Sequence, residues 1–294
     1  MARWMAAMRA GRYADAWALA ACTLEERDPA TRDDPSRPYH FRWVWDGTPV
    51  EGRDVLVRCY HGLGDTLQFA RFLPLLADRA RCVTLEVQPR LLDLIRTVDP
   101  RLTLVPFDDA APLPPREVDV EITELDFALR VPPDAVQHPY LSADRAVLPD
   151  RTVALCYGAG DWDPSRTVPA ALFAGVCGRA RCVTLMPEAT ELDVLNPEGC
   201  PFDVSATASL VAGAALVITV DTMIAHLAGA LGRPTWLLLK AEPDWRWSPD
   251  RTTSPWYPSM RLYAQKEAGD WPSVMARVER DLAACTAQAT ELQA

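Results

Sequence analysis

The chain has 294 residues, 49% of them apolar, and a formal net charge of −10. That length allows one large or two ordinary domains with a sizeable core. The acidic balance excludes a protein that wraps nucleic acid, which needs clustered positive charge, and no run is long and apolar enough for a membrane span.

Only Lys240 and Lys266 are lysines, so arginine carries nearly all the positive charge. Eight cysteines (Cys22, Cys59, Cys82, Cys156, Cys177, Cys182, Cys200 and Cys285) include no C-x-x-C pair, and several lie in apolar, strand-like runs. They read as buried thiols of a reducing compartment. The four histidines, His40, His61, His138 and His226, are scattered, which argues against a metal site. The first residues, MARWMAAMRAGRYADAW, carry early positive charge without a signal-peptide core, so the cytoplasm is the expected location.

In chain order, residues 2–27 have helical spacing, broken at Gly11. Residues 28–40 are rich in Pro, Asp and Arg and read as a linker. DVLVRCY, from Asp54, predicts a strand, followed by the glycine turn His61-Gly62-Leu63-Gly64-Asp65 and an amphipathic helix over 66–77. Strand signals follow at 82–87, 102–105 and 118–122, with a helix at 89–98. Residues 110–150 are Pro-rich with weak periodicity.

The pattern restarts with a strand at 152–157 and the turn Gly158-Ala159-Gly160-Asp161. A helix is expected over 168–177, a strand over 182–185 and a helix over 208–214. Leu216-Val217-Ile218-Thr219-Val220 is a continuous apolar, β-branched run, the pattern of a parallel strand covered on both faces. Asp221 and Thr222 both suit a helix cap, Gly232 supplies a left-handed stop, and Pro234 blocks continuation before a strand over 235–239. A closing helix is expected over 273–285. The helix after Thr222 opens at the carboxyl edge of a sheet, where its N–H groups and dipole favour an anion. His226, one turn in, suits either that crevice or a satisfied place in the core.

Two passages echo each other. CYHGLGD at 59–65 matches CYGAGD at 156–161, and ARCVTL occurs at 80–85 and again at 180–185. Each copy sits in the same strand, glycine turn, helix and strand order, which predicts two Rossmann-like halves. Gly-x-Gly alone is weak evidence, and the dinucleotide fingerprint is incomplete. On pattern alone Asp65 reads first as a helix cap, a common use of Asp, and next as a carboxylate presented to a ligand.

VDTMIAHLAGALGRPTW, residues 220–236, resembles the signature of heptosyltransferase-like enzymes of glycosyltransferase family 9. It is closer still to the family-9-like domains at the end of bacterial tetratricopeptide-repeat proteins. HGLGDTLQFARFLPLL, from His61, resembles the family's first glycine loop. DWRW and SPWYP, between Asp244 and Pro258, resemble a further block, and Gly-Arg-Tyr-Ala-Asp-Ala-Trp, from Gly11, resembles the second helix of a tetratricopeptide repeat. The family resemblance covers residue 43 to the C-terminus.

The resemblance implies an α/β chain of GT-B architecture, with two Rossmann-like domains facing a cleft. Residues 1–40 would be a helical cap and linker, 41–150 the acceptor domain and 151–294 the nucleotide-sugar domain. The implied activity is an inverting, metal-independent transfer of sugar from a nucleotide sugar to an acceptor hydroxyl, on a protein or peptide by association with the repeat proteins. No cofactor is implied beyond that donor substrate. Asp65 would be the catalytic base. Gly64, Ser165, Arg166, Thr167, Asp221, Thr222, Ala225 and His226 would bind the nucleotide sugar, and His61, Gln68, Lys240 and Trp245 are candidates for acceptor or sugar contact.

Three departures stand out. His61 replaces a customary Gln, the loop at 161–167 carries Asp161 and Asp163 in place of lysine and asparagine, and Lys240-Ala241 replaces a Pro-Phe pair. Two other readings stay open: a catalytically silent GT-B module that binds a protein partner, and different nucleotide-dependent chemistry on the same scaffold.

Overall fold

A computed structural model describes residues 1–160 and 163–291, the side chains of 286–291 excepted. Asp161 and Trp162 of the altered loop lie outside the described residues. The chain forms two compact units, Met1–Ser142 and Ala143–Ala294. This division falls a few residues before the expected one at 150–151. The reason is local: the Ala146 N–H donates to Ser209 O at 3.0 Å, which ties the connecting segment to the second unit.

The first unit opens with two helices, α1 (Ala2–Arg9) and α2 (Tyr13–Glu25), separated at Gly11, whose φ of 72° suits glycine. Then follow β1 (Asp54–Arg58), α3 (Leu63–Phe69), α4 (Leu73–Arg79), β2 (Cys82–Val87), α5 (Leu92–Ile95), β3 (Thr103–Pro106), β4 (Val118–Glu121) and α6 (Leu125–Leu129). The expected helix over 66–77 is two helices joined by a 3-10 turn at Ala70–Phe72, and it begins earlier, at Leu63. Gly64 and Asp65 are therefore inside its first turn.

The strands pair in parallel in the order β3-β2-β1-β4. Parallel pairing requires crossovers, which the short helices supply. One polar cluster is set into this sheet. Arg58 of β1, 1% exposed, pairs with Glu86 of β2 at 2.9 Å and Asp119 of β4 at 2.8 Å. The two carboxylates also accept the Leu113 and Arg116 N–H groups, at 2.7 and 2.9 Å, which pins the Pro-rich loop to the sheet.

The second unit contains β5 (Val153–Cys156), α7 (Ala174–Cys177), β6 (Cys182–Thr184), α8 (Val204–Gly213), β7 (Leu216–Val220), α9 (Met223–Ala230), β8 (Thr235–Leu239), β9 (Met260–Ala264) and α10 (Trp271–Glu291). The order is β6-β5-β7-β8-β9, again parallel. Edge strand β9 has no counterpart in the sequence reading. Helix α8 starts at Val204 rather than 208, because the Asp203 carboxylate caps it by accepting the Ser205 N–H. The expected helix over 168–177 is a 3-10 turn at Ala170–Phe173 followed by α7. Val153, Leu155, Ile218, Val220 and Leu238 form a continuous core with Val274 and Val278 of α10.

All eight cysteines are free. Five are buried, as expected, but Cys22, Cys82 and Cys285 are exposed. Cys82 opens its strand at the sheet margin, where its thiol donates to Asp54 Oδ1. Among the described residues no helix is long and apolar enough to cross a membrane.

Candidate functional site

Each sheet has a point where strand order reverses around its first strand: β1 lies between β2 and β4, and β5 between β6 and β7. Open parallel sheets bind ligands at the carboxyl ends of strands flanking such a point. The sequence candidates collect at these two places, one in each unit.

In the second unit, β7 delivers Asp221 and Thr222. Thr222 is the N-cap of α9, with its Oγ1 accepting the Ile224 N–H at 3.3 Å. Ala225 and His226 occupy the first turns and are buried. The helix runs to Ala230, and Gly232 at φ 66° forms the left-handed stop. Burial raises the Asp221 carboxyl to about 6, opposed by the indole of Trp247. That indole N–H acts on the carboxylate without a hydrogen bond of ordinary geometry.

Arg166 ends a 3-10 turn, Pro164–Arg166, and its Nη1 donates to the Asp221 carbonyl at 2.6 Å. Its Nε lies 3.7 Å from Asp163 Oδ2, and Lys240 Nζ lies 2.8 Å from the same oxygen. Ser165 donates to the other Asp163 oxygen. Burial works to raise Asp163, but the hydrogen bonds from Lys240 and Ser165 and the charges of Lys240 and Arg166 outweigh it, so its carboxyl is held below the usual range. The Asp163 part of the acidic departure is thus neutralised within the unit, with Lys240 as its nearest cation. Thr167 accepts the Ala159 N–H at 3.1 Å through Oγ1, holding the glycine turn after β5.

His226 is enclosed by aromatics. Its ring is stacked on Trp247 at 5.7 Å, and its Nδ1 is 3.0 Å from the Tyr257 hydroxyl. Gly229 is required here, since a Cβ would lie 2.3 Å from the Tyr257 ring. Trp247, Trp256 and Tyr257 are buried, so packing accounts for most of this block. Trp245 is only partly buried, its ring covered by the Arg246 guanidinium at 4.3 Å.

In the first unit, Gly62 is the N-cap of α3, and Asp65 is its third residue. Asp65 Oδ2 accepts the Gly62 N–H at 3.0 Å, the reciprocal half of a capping box. Asp65 is partly exposed, as are His61 and Gly64, whereas Gln68 is buried. The turn is clamped from below: Gln88 donates to the carbonyls of Cys59 and His61, both at 3.0 Å, and accepts from the Thr66 hydroxyl at 3.0 Å.

One functional candidate escaped the sequence reading. Glu121, the last residue of β4, is buried beside this turn, and His61 Nε2 stands 3.8 Å from its Oε2. Burial raises its carboxyl to about 8; hydrogen bonds from Thr123 oppose this, and the charges of Glu124 and Asp65 add to it. The only sequence signal was a short strand that alternates valine with acidic residues, VDVE.

Among solved structures, the chain is similar to the iron-containing dodecameric glycosyltransferase TibC of enterotoxigenic E. coli, at 13% identity and a TM-score of 0.56, over 77% of this chain and 67% of that one. It is also similar to E. coli ADP-heptose lipopolysaccharide heptosyltransferase II, at 13% identity and a TM-score of 0.54, over 81% and 99%. The fold is that of the GT-B heptosyltransferases. A third likeness is to E. coli heptosyltransferase WaaC solved with ADP, at 14% identity and a TM-score of 0.50, over 78% and 98%. No protein-family model matches. Among curated proteins the chain resembles FlbA of Caulobacter vibrioides, 25% identical over 93% of this chain. It spans about half the length of that relative, 53%.

Proposed function

We propose that this chain is a glycosyltransferase that moves a sugar from a nucleoside-diphosphate sugar to an acceptor hydroxyl, with inversion and without a metal. The observation that carries the reading is the second switch point, where the start of α9 is capped by Thr222 at the end of β7 and Arg166 is anchored beside it on the Asp221 carbonyl. Helix N–H groups, the helix dipole and a guanidinium together suit a leaving diphosphate. The GT-B fold supports it, and the nucleotide-bound state of WaaC suggests ADP as the first probe.

In the reaction the acceptor oxygen bonds to the anomeric carbon as the carbon–oxygen bond to the diphosphate breaks. The electron pair leaves with the phosphate, and the hydroxyl proton passes to Asp65. His226, Thr222 and Arg166 stabilise the departing charge. The acceptor is proposed to be a protein or peptide, and the reaction cytoplasmic.

Thermal melts with ADP, other nucleoside diphosphates and ADP-heptose test this. A ligand at 100 times its dissociation constant adds about 2.7 kcal/mol to stability. A protein that none of them stabilises is not a nucleotide-sugar enzyme. The second reading, a silent binding module, is favoured by one observation: Asp163 engages both Lys240 and Arg166, taking up cations that a diphosphate would use.

A further inference from the structure

Glu121 ends β4 next to β1, at the point where strand order in the first sheet reverses. A ligand of this unit belongs there. A buried carboxylate at such a place is costly unless it is hydrogen-bonded or put to use. Its Oε1 accepts the Tyr60 N–H at 3.2 Å, and its Oε2 accepts the Thr123 N–H at 2.6 Å and the Thr123 hydroxyl. The side facing the glycine turn meets His61 Nε2 at 3.8 Å, too long for a hydrogen bond but within ion-pair range. The His61 backbone is held by Gln88, while about a third of its side chain, 35%, reaches solvent.

The charged and titratable groups around the pair come from several elements. Asp65 acts from α3, and Glu124 acts from the next turn, with its partner Arg27 at 2.8 Å. Arg58 is in register with Glu121 on β1 but is engaged by Glu86 and Asp119. The buried Cys59 thiol is raised well above its ordinary value, first by burial and then by Glu121.

We propose that Glu121 is a positioning residue that aims the His61 imidazole at the acceptor through an ion pair with it. The acceptor role rests on the glycosyltransferase reading. The two charges are coupled: ionised Glu121 favours the imidazolium, and a neutral Glu121 removes that preference. Asp65 keeps the role of base. His61 supplies an oriented ring against which the acceptor hydroxyl is placed, and a carboxylate at ion-pair distance favours that orientation when the ring is charged.

The test is a nuclear magnetic resonance titration of the whole chain, following the imidazole signals from about pH 5 to 9. His61→Gln identifies the His61 signals. In the wild type they should move in two steps, the upper one near pH 8, where Glu121 ionises. In Glu121→Gln the upper step is lost. A His61 curve identical in the two proteins overturns the proposal. If Glu121→Gln does not fold, the same coupling is read from the other side, as a displaced carboxyl-carbon titration of Glu121 in His61→Gln, and an undisplaced curve likewise overturns it. ADP binding is recorded in parallel. Coupled curves in a chain that binds no nucleotide overturn the glycosyltransferase reading, on which the acceptor role depends, and leave the pair standing.

Discussion

The Nδ1 of His226 lies 3.0 Å from the Tyr257 hydroxyl, which joins the first turns of α9 to the aromatic block 31 residues further along the chain. A histidine held this way is both a packing element and a fixed polar group. Its ring orientation is set by Tyr257 and Trp247 together.

Tyr257→Phe keeps the ring packed against Gly229 and removes only the hydroxyl. It should cost about 1–3 kcal/mol of stability, since a buried imidazole nitrogen loses its partner. ADP affinity should fall with it, because the ring is no longer held. His226→Ala should fold and bind ADP more weakly still. Melting curves and calorimetric titration with ADP check both. A large loss of stability with unchanged ADP affinity would make His226 a core residue only.

Lys240 Nζ stands 2.8 Å from Asp163 Oδ2. Lys240→Ala leaves the Asp163 charge beside Arg166, where it competes with a phosphate. ADP affinity should drop about 3–10-fold, as expected for a partly exposed pair worth about 1 kcal/mol. Asp163→Asn in the Lys240→Ala background should recover most of that loss. Calorimetry over the double-mutant cycle gives the coupling, and additive effects would mean the pair has no bearing on the nucleotide.

Asp65 caps its own helix through the Gly62 N–H. Asp65→Asn can still accept that hydrogen bond, yet it takes no proton near neutral pH. Transfer should slow by ~10²–10⁴-fold with donor affinity little changed. Asp65→Ala should also lose roughly 1 kcal/mol of stability with the cap. Single-turnover rates of the Asn variant decide the role. A near-normal rate would move the base to His61.

Burial raises the Asp221 carboxyl from 3.8 to about 6. A group raised in the folded state binds a proton more tightly there than in the unfolded chain. Its stabilising contribution is fully present below about pH 3.8 and is lost as pH rises through about 6. Asp221→Asn removes this dependence. Relative to wild type, the variant should gain stability as pH rises across that window, by up to roughly 3 kcal/mol. Denaturant unfolding at several pH values measures it, and a flat difference would contradict the burial of the charge.

The sequence by itself determined most of the strands and the glycine turns that follow β1 and β5. β7 and β8 match the apolar runs at 216–220 and 235–239, because burial on both faces leaves a signal in nearly every residue, and β2 matches the strand signal at 82–87. Thr222 and Gly232 were legible as cap and stop because capping is local chemistry. Strand β9 was not, since MRLYA follows an aromatic, Pro-rich stretch and is a strand through its pairing with β8. The side-chain pairs of the site also waited for the tertiary structure. Lys240 meets Asp163 across 77 residues, and Glu121 faces His61 only because β4 inserts beside β1 rather than following β3 at the sheet edge. Periodicity encodes which face of an element is buried, but which charged side chains share that burial depends on strand order, and strand order is decided by how the whole chain packs.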